Sequence, residues 1–256
     1  MRIAVAGGTG LVGRMAVEAA RAAGHDVVVI ARSAGVDLTT GEGLDSALRD
    51  VQAVIDATNV ITTSRTKSVR FFEASTGHLS AAGRRAGVRH HVVLSIVGVE
   101  RVNYGYYQGK RRQEELVRAG GTPWTVLRAT QFFEFAGQLL DRVPGPVVPL
   151  PRMLSQPVAA IEVAGELVRL AVAEPRGAVI DMAGPERLEV TAMARAVVRA
   201  RRMRRLVLPV RLPGATARAV ATGALLPTGE AALGRQRFTE WLGGQVAGPS
   251  PDRTRA

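Results

Sequence analysis

The chain of 256 residues is 46% apolar, carries a formal net charge of +12 and contains no cysteine. Its length and apolar content suit one large α/β unit, or a large unit with a small annex. The missing cysteines exclude disulfides, thiolate metal sites and cysteine nucleophiles, and fit a reducing compartment. No run of about eighteen uninterrupted apolar residues offers a membrane span. The amino terminus enters its first strand at once, leaving no room for a signal peptide, so a soluble, cytoplasmic protein is expected.

The positive charge raises the question of nucleic acid. Lysine occurs only at 67 and 110, and most arginines stand singly along helical stretches. The densest basic cluster is Arg199, Arg201, Arg202, Arg204 and Arg205; it has no aromatic neighbours, and 4% aromatic content supplies few stacking platforms. Nucleic-acid binding is therefore not expected, and an anionic cofactor or substrate accounts for part of the charge.

The chain opens with an apolar run, Ile3 to Ala6, broken by Gly7-Gly8-Thr9-Gly10 and resumed at Leu11 with helical periodicity through Ala23. Strand, glycine turn and helix in that order form a dinucleotide-binding first unit. Gly7 permits a tight turn, Gly10 lets backbone approach a pyrophosphate, and Gly13 allows close helix–strand packing. The N–H groups at the helix start would hold phosphates. A second apolar run, Val27 to Ala31, follows Gly24 and ends at Arg32-Ser33. Asp26 begins that strand and so falls at the wrong edge for a ribose hydroxyl. Arg32 closes it, where a guanidinium suits a 2′-phosphate, which predicts NADP(H) in preference to NAD(H).

Val36-Asp37-Leu38 reads as a short third strand, Leu44 to Arg49 as a helical piece, and Val51 to Thr58 as a buried parallel strand closed by Asn59. A long helix is expected from Thr66 to Gly87 and a strand from Val92 to Val97. This alternation predicts a Rossmann-type doubly wound, mostly parallel sheet with helices on both faces and its ligand edge at the strands' carboxyl ends. Tyr106 and Lys110 share a face of the next helix. A phenol whose pKa is lowered by a nearby ammonium would exchange a carbonyl proton during hydride transfer. The Ser95 hydroxyl, near the end of the preceding strand, would polarise that carbonyl.

Pro123 to Ala129 is a further strand, followed by Thr130-Gln131-Phe132-Phe133. The proline-dense stretch from Val143 to Pro151 reads as a loop with a short edge strand overhanging the active-site edge. A helix over Ile161–Ala173, a strand over Ala178–Met182, a helix over Thr191–Arg202 with Thr191 as its cap, and a strand over Leu206–Val210 complete the pattern. Residues 1–136 are expected to form the cofactor-binding core, 137–243 a small substrate-binding α/β region partly contributing to that core, and 244–256 a flexible tail. The glycine loop lacks the Lys-Ser/Thr pair of a nucleoside-triphosphate loop. The adjacent His90-His91 pair cannot chelate from one helix face, and no G-x-S-x-G elbow occurs.

The stretches GGTGLVG (7–13), Arg32, Asp37-Leu38, DATN (56–59), LSIVG (94–98), YYQGK (106–110) and LRATQFFEF (127–135) together resemble the short-chain dehydrogenase/reductase superfamily, above all its atypical, NmrA-like NAD(P)H-binding members. The resemblance covers most of residues 1–175. It implies that Gly7, Thr9, Gly10, Leu11 and Val12 line the pyrophosphate, that Arg32 and Ser33 meet the 2′-phosphate, and that Asp37 and Leu38 flank adenine. Ala57 and Thr58 would approach the ribose and Lys110 would hold the nicotinamide ribose. Tyr106 would be the proton donor, Ser95 would lie beside the substrate carbonyl, and Thr130 to Phe132 would border the nicotinamide. The interval from Ser95 to Tyr106 is shorter than in most superfamily members with a full Ser-Tyr-Lys triad. The expected activity is NADPH-dependent reduction of a carbonyl, quinone or enone of a small metabolite by a monomer or homodimer. The alternatives are a non-catalytic NADP(H)-binding redox sensor and a sugar-nucleotide epimerase or dehydratase.

Overall fold

Each apolar run bounded by glycine becomes a strand, and each stretch of helical periodicity covers one of its faces. In the computed structural model, which describes residues 1–247, β1 (Arg2–Ala6), β2 (Asp26–Ile30), β3 (Ala53–Asp56), β4 (His90–Ile96) and β5 (Trp124–Ala129) alternate with α1 (Leu11–Ala22), α2 (Leu44–Ala47), α3 (Arg65–Arg85) and α4 (Gly105–Ala119). There follow α5 (Glu134–Arg142), β6 (Val147–Pro151), β7 (Leu154–Ser155), α6 (Ala160–Val172), β8 (Val179–Ala183) and β9 (Leu188–Glu189). The described chain ends with α7 (Val190–Ala200), β10 (Leu206–Val210), α8 (Ala215–Ala221), β11 (Ala232–Leu233) and α9 (Phe238–Ala247).

The central sheet is parallel throughout, in the order β2-β1-β3-β4-β5-β8-β11. Strand order reverses between β1 and β3, which opens a crevice at their carboxyl ends. Side chains alternate across the sheet. Ile3, Val5, Ile55, Val92 and Leu127 pack against α1 and α6. On the other face Ala4, Ala6 and Val54 meet Leu79 and Ala82 of α3, while Val93 and Val126 meet Val117 of α4. A separate apolar cluster joins Phe133, Leu140, Val148, Leu150, Met193, Val197, Val207 and Phe238. Thus after residue 137 the chain returns to the central sheet and its covering layer through α6, β8 and β11, while α5, β6, α7, β10 and α9 build around this second cluster.

Three local expectations need correction. Val36-Asp37-Leu38 is not a strand, since only a single bridge, Asp37 to Glu42, forms there. The Asp37 carboxylate instead accepts the backbone and hydroxyl protons of Thr39, at 2.7 and 2.6 Å, holding a turn that competes with pairing; β2 is left as a sheet edge. Helix α7 starts at Val190 with Glu189 in the cap position, and Thr191 lies buried in its first turn. The proline-dense stretch does carry a short edge strand, β6, which pairs with β10, so its prolines face the unpaired side of a two-stranded sheet. The expected tail from 244 is helical through Ala247, and Phe238 packs edge-on and Trp241 tilted against Phe133. Residues 248–256 of that expected tail lie outside the described residues.

Part of the basic cluster serves the fold. Arg205 donates to the carbonyls of Leu140 and Gly145, at 2.5 and 3.0 Å, and to that of Val143, thereby capping the carboxyl end of α5.

Helix α1 approaches β1 closely at Gly13. A Cβ on Gly13 would lie 2.1 Å from the Gly7 carbonyl oxygen, a backbone atom that cannot yield cheaply. Gly13→Ala is therefore expected to lower stability by about 1–3 kcal/mol, read as a reduced urea midpoint at unchanged slope.

Candidate cofactor and active site

Gly7 leaves β1 with φ +73°, and its carbonyl accepts the Gly10 N–H at 2.9 Å. A Cβ on Gly7 would stand 2.9 Å from the Ala57 carbonyl oxygen, so the glycine lets the end of β1 lie directly against Ala57 and Thr58. Gly10 takes the cap position of α1 with no side-chain cap, and Arg14 N–H makes the first helical bond back to it. The N–H groups of Leu11, Val12 and Gly13 accordingly have no helical acceptor. Thr9 and Gly10 are exposed above them. A glycine-rich cradle ending on an uncapped helix is what a pyrophosphate requires, and these residues fit a dinucleotide.

Arg32 and Ser33 are exposed in a short 3-10 turn directly after β2, beside the glycine loop. Asp26 sits at the opposite strand end and pairs with Arg2 at 3.5 Å. The Thr39 bonds hold the Asp37 carboxyl below its usual range, and the charge of Arg32 adds to the effect. Leu38 packs half-buried against the α3-side cluster, and its carbonyl accepts from His78 Nδ1 at 3.0 Å.

At the start of α4, half-buried Tyr106 donates its hydroxyl to Asn59 Oδ1 at 2.7 Å, across the carboxyl end of β3. Burial, helped by the neighbouring Tyr107 phenol, pushes Tyr106 well above the usual phenol range. This reverses the expected lowering by an ammonium. Lys110, one turn along α4, sends its Nζ inward to the Leu94 carbonyl at 2.7 Å and Gln113 Oε1 at 2.5 Å, over the Phe72 ring. Burial brings Lys110 down to about 8, against the opposing charges of Asp56 and Glu114. Ser95 is also buried and donates to Glu114 Oε1 at 2.5 Å rather than standing open at the strand end. Ser95 and Tyr106 therefore do not meet. Thr130 is buried with its hydroxyl on the Gln156 carbonyl at 2.6 Å, and half-buried Phe132 bridges to Val158 and packs on the α1–α6 cluster.

A buried polar layer between α4 and the sheet went unrecognised in the sequence. Asp56 accepts from Thr58 N and Oγ1, at 3.0 and 2.6 Å, and from Gln113 Nε2 at 2.8 Å. Burial raises the Asp56 carboxyl, but His91 at 3.9 Å, the Thr58 bonds and the Lys110 charge outweigh it and bring the group down to about 2. Beside it, Glu114 accepts Ser95, Arg128 and Arg118, and Arg128 reaches Glu100 at 2.9 Å. The available signal was the spacing of Lys110, Gln113 and Glu114, which puts all three on one helical face.

A surface concavity of about 310 Å³ lined by Arg65, Thr66, Val69, Arg70 and Glu73 lies along the first turns of α3, and none of its lining residues belongs to the glycine loop. Among the described residues no group of three or more His, Asp or Glu gathers as a metal site, and no helix is long and apolar enough to cross a membrane.

The sequence model of the NAD(P)H-binding family matches residues 7–138, the segment that carries the glycine cradle, Asp56, Tyr106 and Lys110. The chain belongs to that family, in agreement with its resemblance to the NmrA-like, atypical short-chain dehydrogenases/reductases. Over 145 aligned residues it is 34% identical to the (4-alkanoyl-5-oxo-2,5-dihydrofuran-3-yl)methyl phosphate reductase of Streptomyces griseus, a match covering 51% of this chain and 48% of the relative. The chain thus spans about half the length of that curated relative. Its fold is similar to that of MoeE5 in complex with UDP-glucose and NAD, at TM-score 0.75 and 18% identity over 96% of this chain and 97% of the other. It is also similar to the NADPH-dependent quinone oxidoreductase QOR2 of Escherichia coli complexed with NADPH, at TM-score 0.70 and 16% identity over 95% and 99%.

The Asp56 carboxyl lies at about 2 against an ordinary 3.8. A lowered carboxyl stabilises fully above its ordinary value and loses that contribution as pH falls through its folded value. Asp56→Asn is expected to cost ~2 kcal/mol at neutral pH. Urea unfolding should show this difference shrinking as pH drops from 3.8 to about 2.

Proposed function

We propose that the protein is an NADPH-dependent reductase acting on a conjugated carbonyl, quinone or enone of a small metabolite. The observation that carries this reading is the meeting, at one edge of the sheet, of the uncapped, glycine-rich helix start after Gly7 with the Tyr106–Asn59 pair. When bound, the dihydronicotinamide supplies a hydride. The chain's own residues would bind its phosphates through the N–H groups of Leu11 to Gly13, and its 2′-phosphate through Arg32 and Ser33. Thr58 and Lys110 would flank the nicotinamide ribose, with Phe132 bordering the ring. Tyr106, kept protonated by burial, is suited to donate a hydrogen bond and then a proton to the reduced acceptor. An acceptor already polarised by conjugation needs no serine hydroxyl, which accords with Ser95 being engaged by Glu114. The relative named for a phosphorylated dihydrofuranone supports such an acceptor.

The Ser95–Glu114 bond also favours a second reading, an NADP(H)-binding sensor without turnover. The two separate on NADPH consumption across a panel of carbonyls, quinones and enones. The reductase should turn over at least one acceptor and lose most of that rate in a Tyr106→Phe, Lys110→Ala double variant. Undiminished turnover in the double variant rules out this mechanism, and tight binding without turnover on any acceptor favours the sensor. For the phosphate end, Arg32→Glu should weaken NADPH about tenfold or more while leaving NADH nearly unchanged, as measured by fluorescence titration.

A further inference from the structure

Beneath the strand ends a single buried carboxylate is bonded, directly or through one amide, to both residues that the proposed reading places at the nicotinamide ribose. Asp56 Oδ1 accepts the Thr58 hydroxyl at 2.6 Å, while Oδ2 accepts Gln113 Nε2 at 2.8 Å. The other end of that amide, Gln113 Oε1, accepts Lys110 Nζ at 2.5 Å. All four residues are at most 5% exposed. A carboxylate offers only acceptors and an ammonium only donors. The amide between them therefore has one permitted orientation, NH2 toward Asp56 and oxygen toward Lys110.

We propose that Asp56 and Gln113 are positioning residues for the nicotinamide end of the cofactor site: the carboxylate orients Thr58 directly and Lys110 through the Gln113 amide. This inference rests on the reading of Thr58 and Lys110 as ribose-binding residues. A buried cation must have acceptors or leave the interior. For Lys110 these are the Leu94 carbonyl of β4, at 2.7 Å, and Gln113. The charged groups facing its ammonium are Asp56 from β3 and Glu114 from α4 itself, with His91 of β4 behind Asp56 at 3.9 Å; α3 presents the Phe72 ring. Asp56 holds Thr58 through the shorter bonds and, through Gln113, also governs Lys110, while Gln113 Nε2 makes a longer contact to the Thr58 hydroxyl at 3.3 Å. The carboxylate thus ties the end of β3 to the second turn of α4, the two elements between which the ribose would lie.

The polarity of the chain of bonds makes the proposal testable by reversal. In Asp56→Asn the new NH2 can meet Gln113 only if the amide turns over, which presents its NH2 to Lys110 and breaks that contact. Adding Gln113→Glu restores an acceptor for both neighbours and keeps one negative charge in the network. Gln113→Met removes the bridge, and with it the 3.3 Å contact to Thr58 Oγ1, while leaving the Asp56 carboxylate and its bonds to Thr58 in place. The experiment is a fluorescence titration of the full chain with NADPH across neutral and mildly alkaline pH, with thermal unfolding confirming that each variant folds.

Asp56→Asn, Gln113→Met and Lys110→Met are each expected to weaken NADPH about tenfold or more, and the Asp56→Asn, Gln113→Glu double variant should recover most of the affinity. The Asp56 charge favours protonated Lys110, so the alkaline limb of the affinity profile should move to lower pH in Asp56→Asn and return in the double variant. A role in folding alone would leave that limb in place. Wild-type affinity in Asp56→Asn and Gln113→Met with weakened binding in Lys110→Met overturns the inference, as does a folded double variant without recovery. Wild-type affinity in Lys110→Met overturns the ribose reading itself. If Asp56→Asn does not fold, Gln113→Met and the double variant carry the comparison.

Discussion

Everything at the carboxyl edge depends on how closely two pieces of backbone approach each other. Gly7 and Gly13 let α1 seat against the end of β1 with no side chain between them, and Gly7 admits the Ala57 carbonyl on its other side. Without those contacts the uncapped start of α1 would stand off from the crevice between β1 and β3, and its N–H groups would not converge with the end of β3. The apolar layer of Ile3, Val5, Val12, Ala16 and Val17 then locks the helix in place. The geometry of this candidate phosphate cradle is thus a consequence of packing that omits side chains at Gly7 and Gly13, rather than of any one strong bond.

The opposite face of the same strands obeys different physics. Where α4 covers β3, β4 and β5, the interior is polar, with Asp56, Gln113, Lys110, Ser95, Glu114 and Arg128 all hydrogen-bonded to one another or to backbone. Burying so many charged groups is costly unless each finds its partner, and here the donors and acceptors are matched in sequence from Asp56 through Gln113 to Lys110. Such a network makes the position of α4 specific, because a slip of the helix would leave several charges unpaired. Tyr106, at the first turn of that helix, inherits its placement over Asn59 from it.

The region after α5 contributes in two ways. α6, β8 and β11 complete the central sheet and its covering layer, while α5, β6, α7, β10 and α9 close around Phe133, Leu140, Val197 and Phe238. Arginine is used here as a cap: Arg205 gathers the orphan carbonyls at the end of α5. A cluster that reads in one dimension as a patch of loose positive charge is in part an intramolecular fastening.

The central architecture was legible in the chain itself. Periodicity and glycine placement depend on neighbours a few residues apart, so β1, α1, β2, β3, α3, β4, α4 and β5 all stand where apolar runs and turns put them. The glycine cradle was legible for the same reason. The sequence alone did not reveal which side chains would spend their hydrogen bonds on one another. Ser95 looked open at a strand end until Glu114, on another element, supplied its acceptor. Tyr106 and Lys110 share a helical face, yet one lies over Asn59 and the other turns into the interior, because the sheet beneath offers the Leu94 carbonyl and Gln113 only to the second. The missing third strand likewise followed from a local Asp37–Thr39 turn winning over pairing. Local pattern determined the elements and the phosphate loop. Long-range burial decided the protonation, orientation and partners of the polar groups, since those depend on neighbours that only the folded sheet brings together.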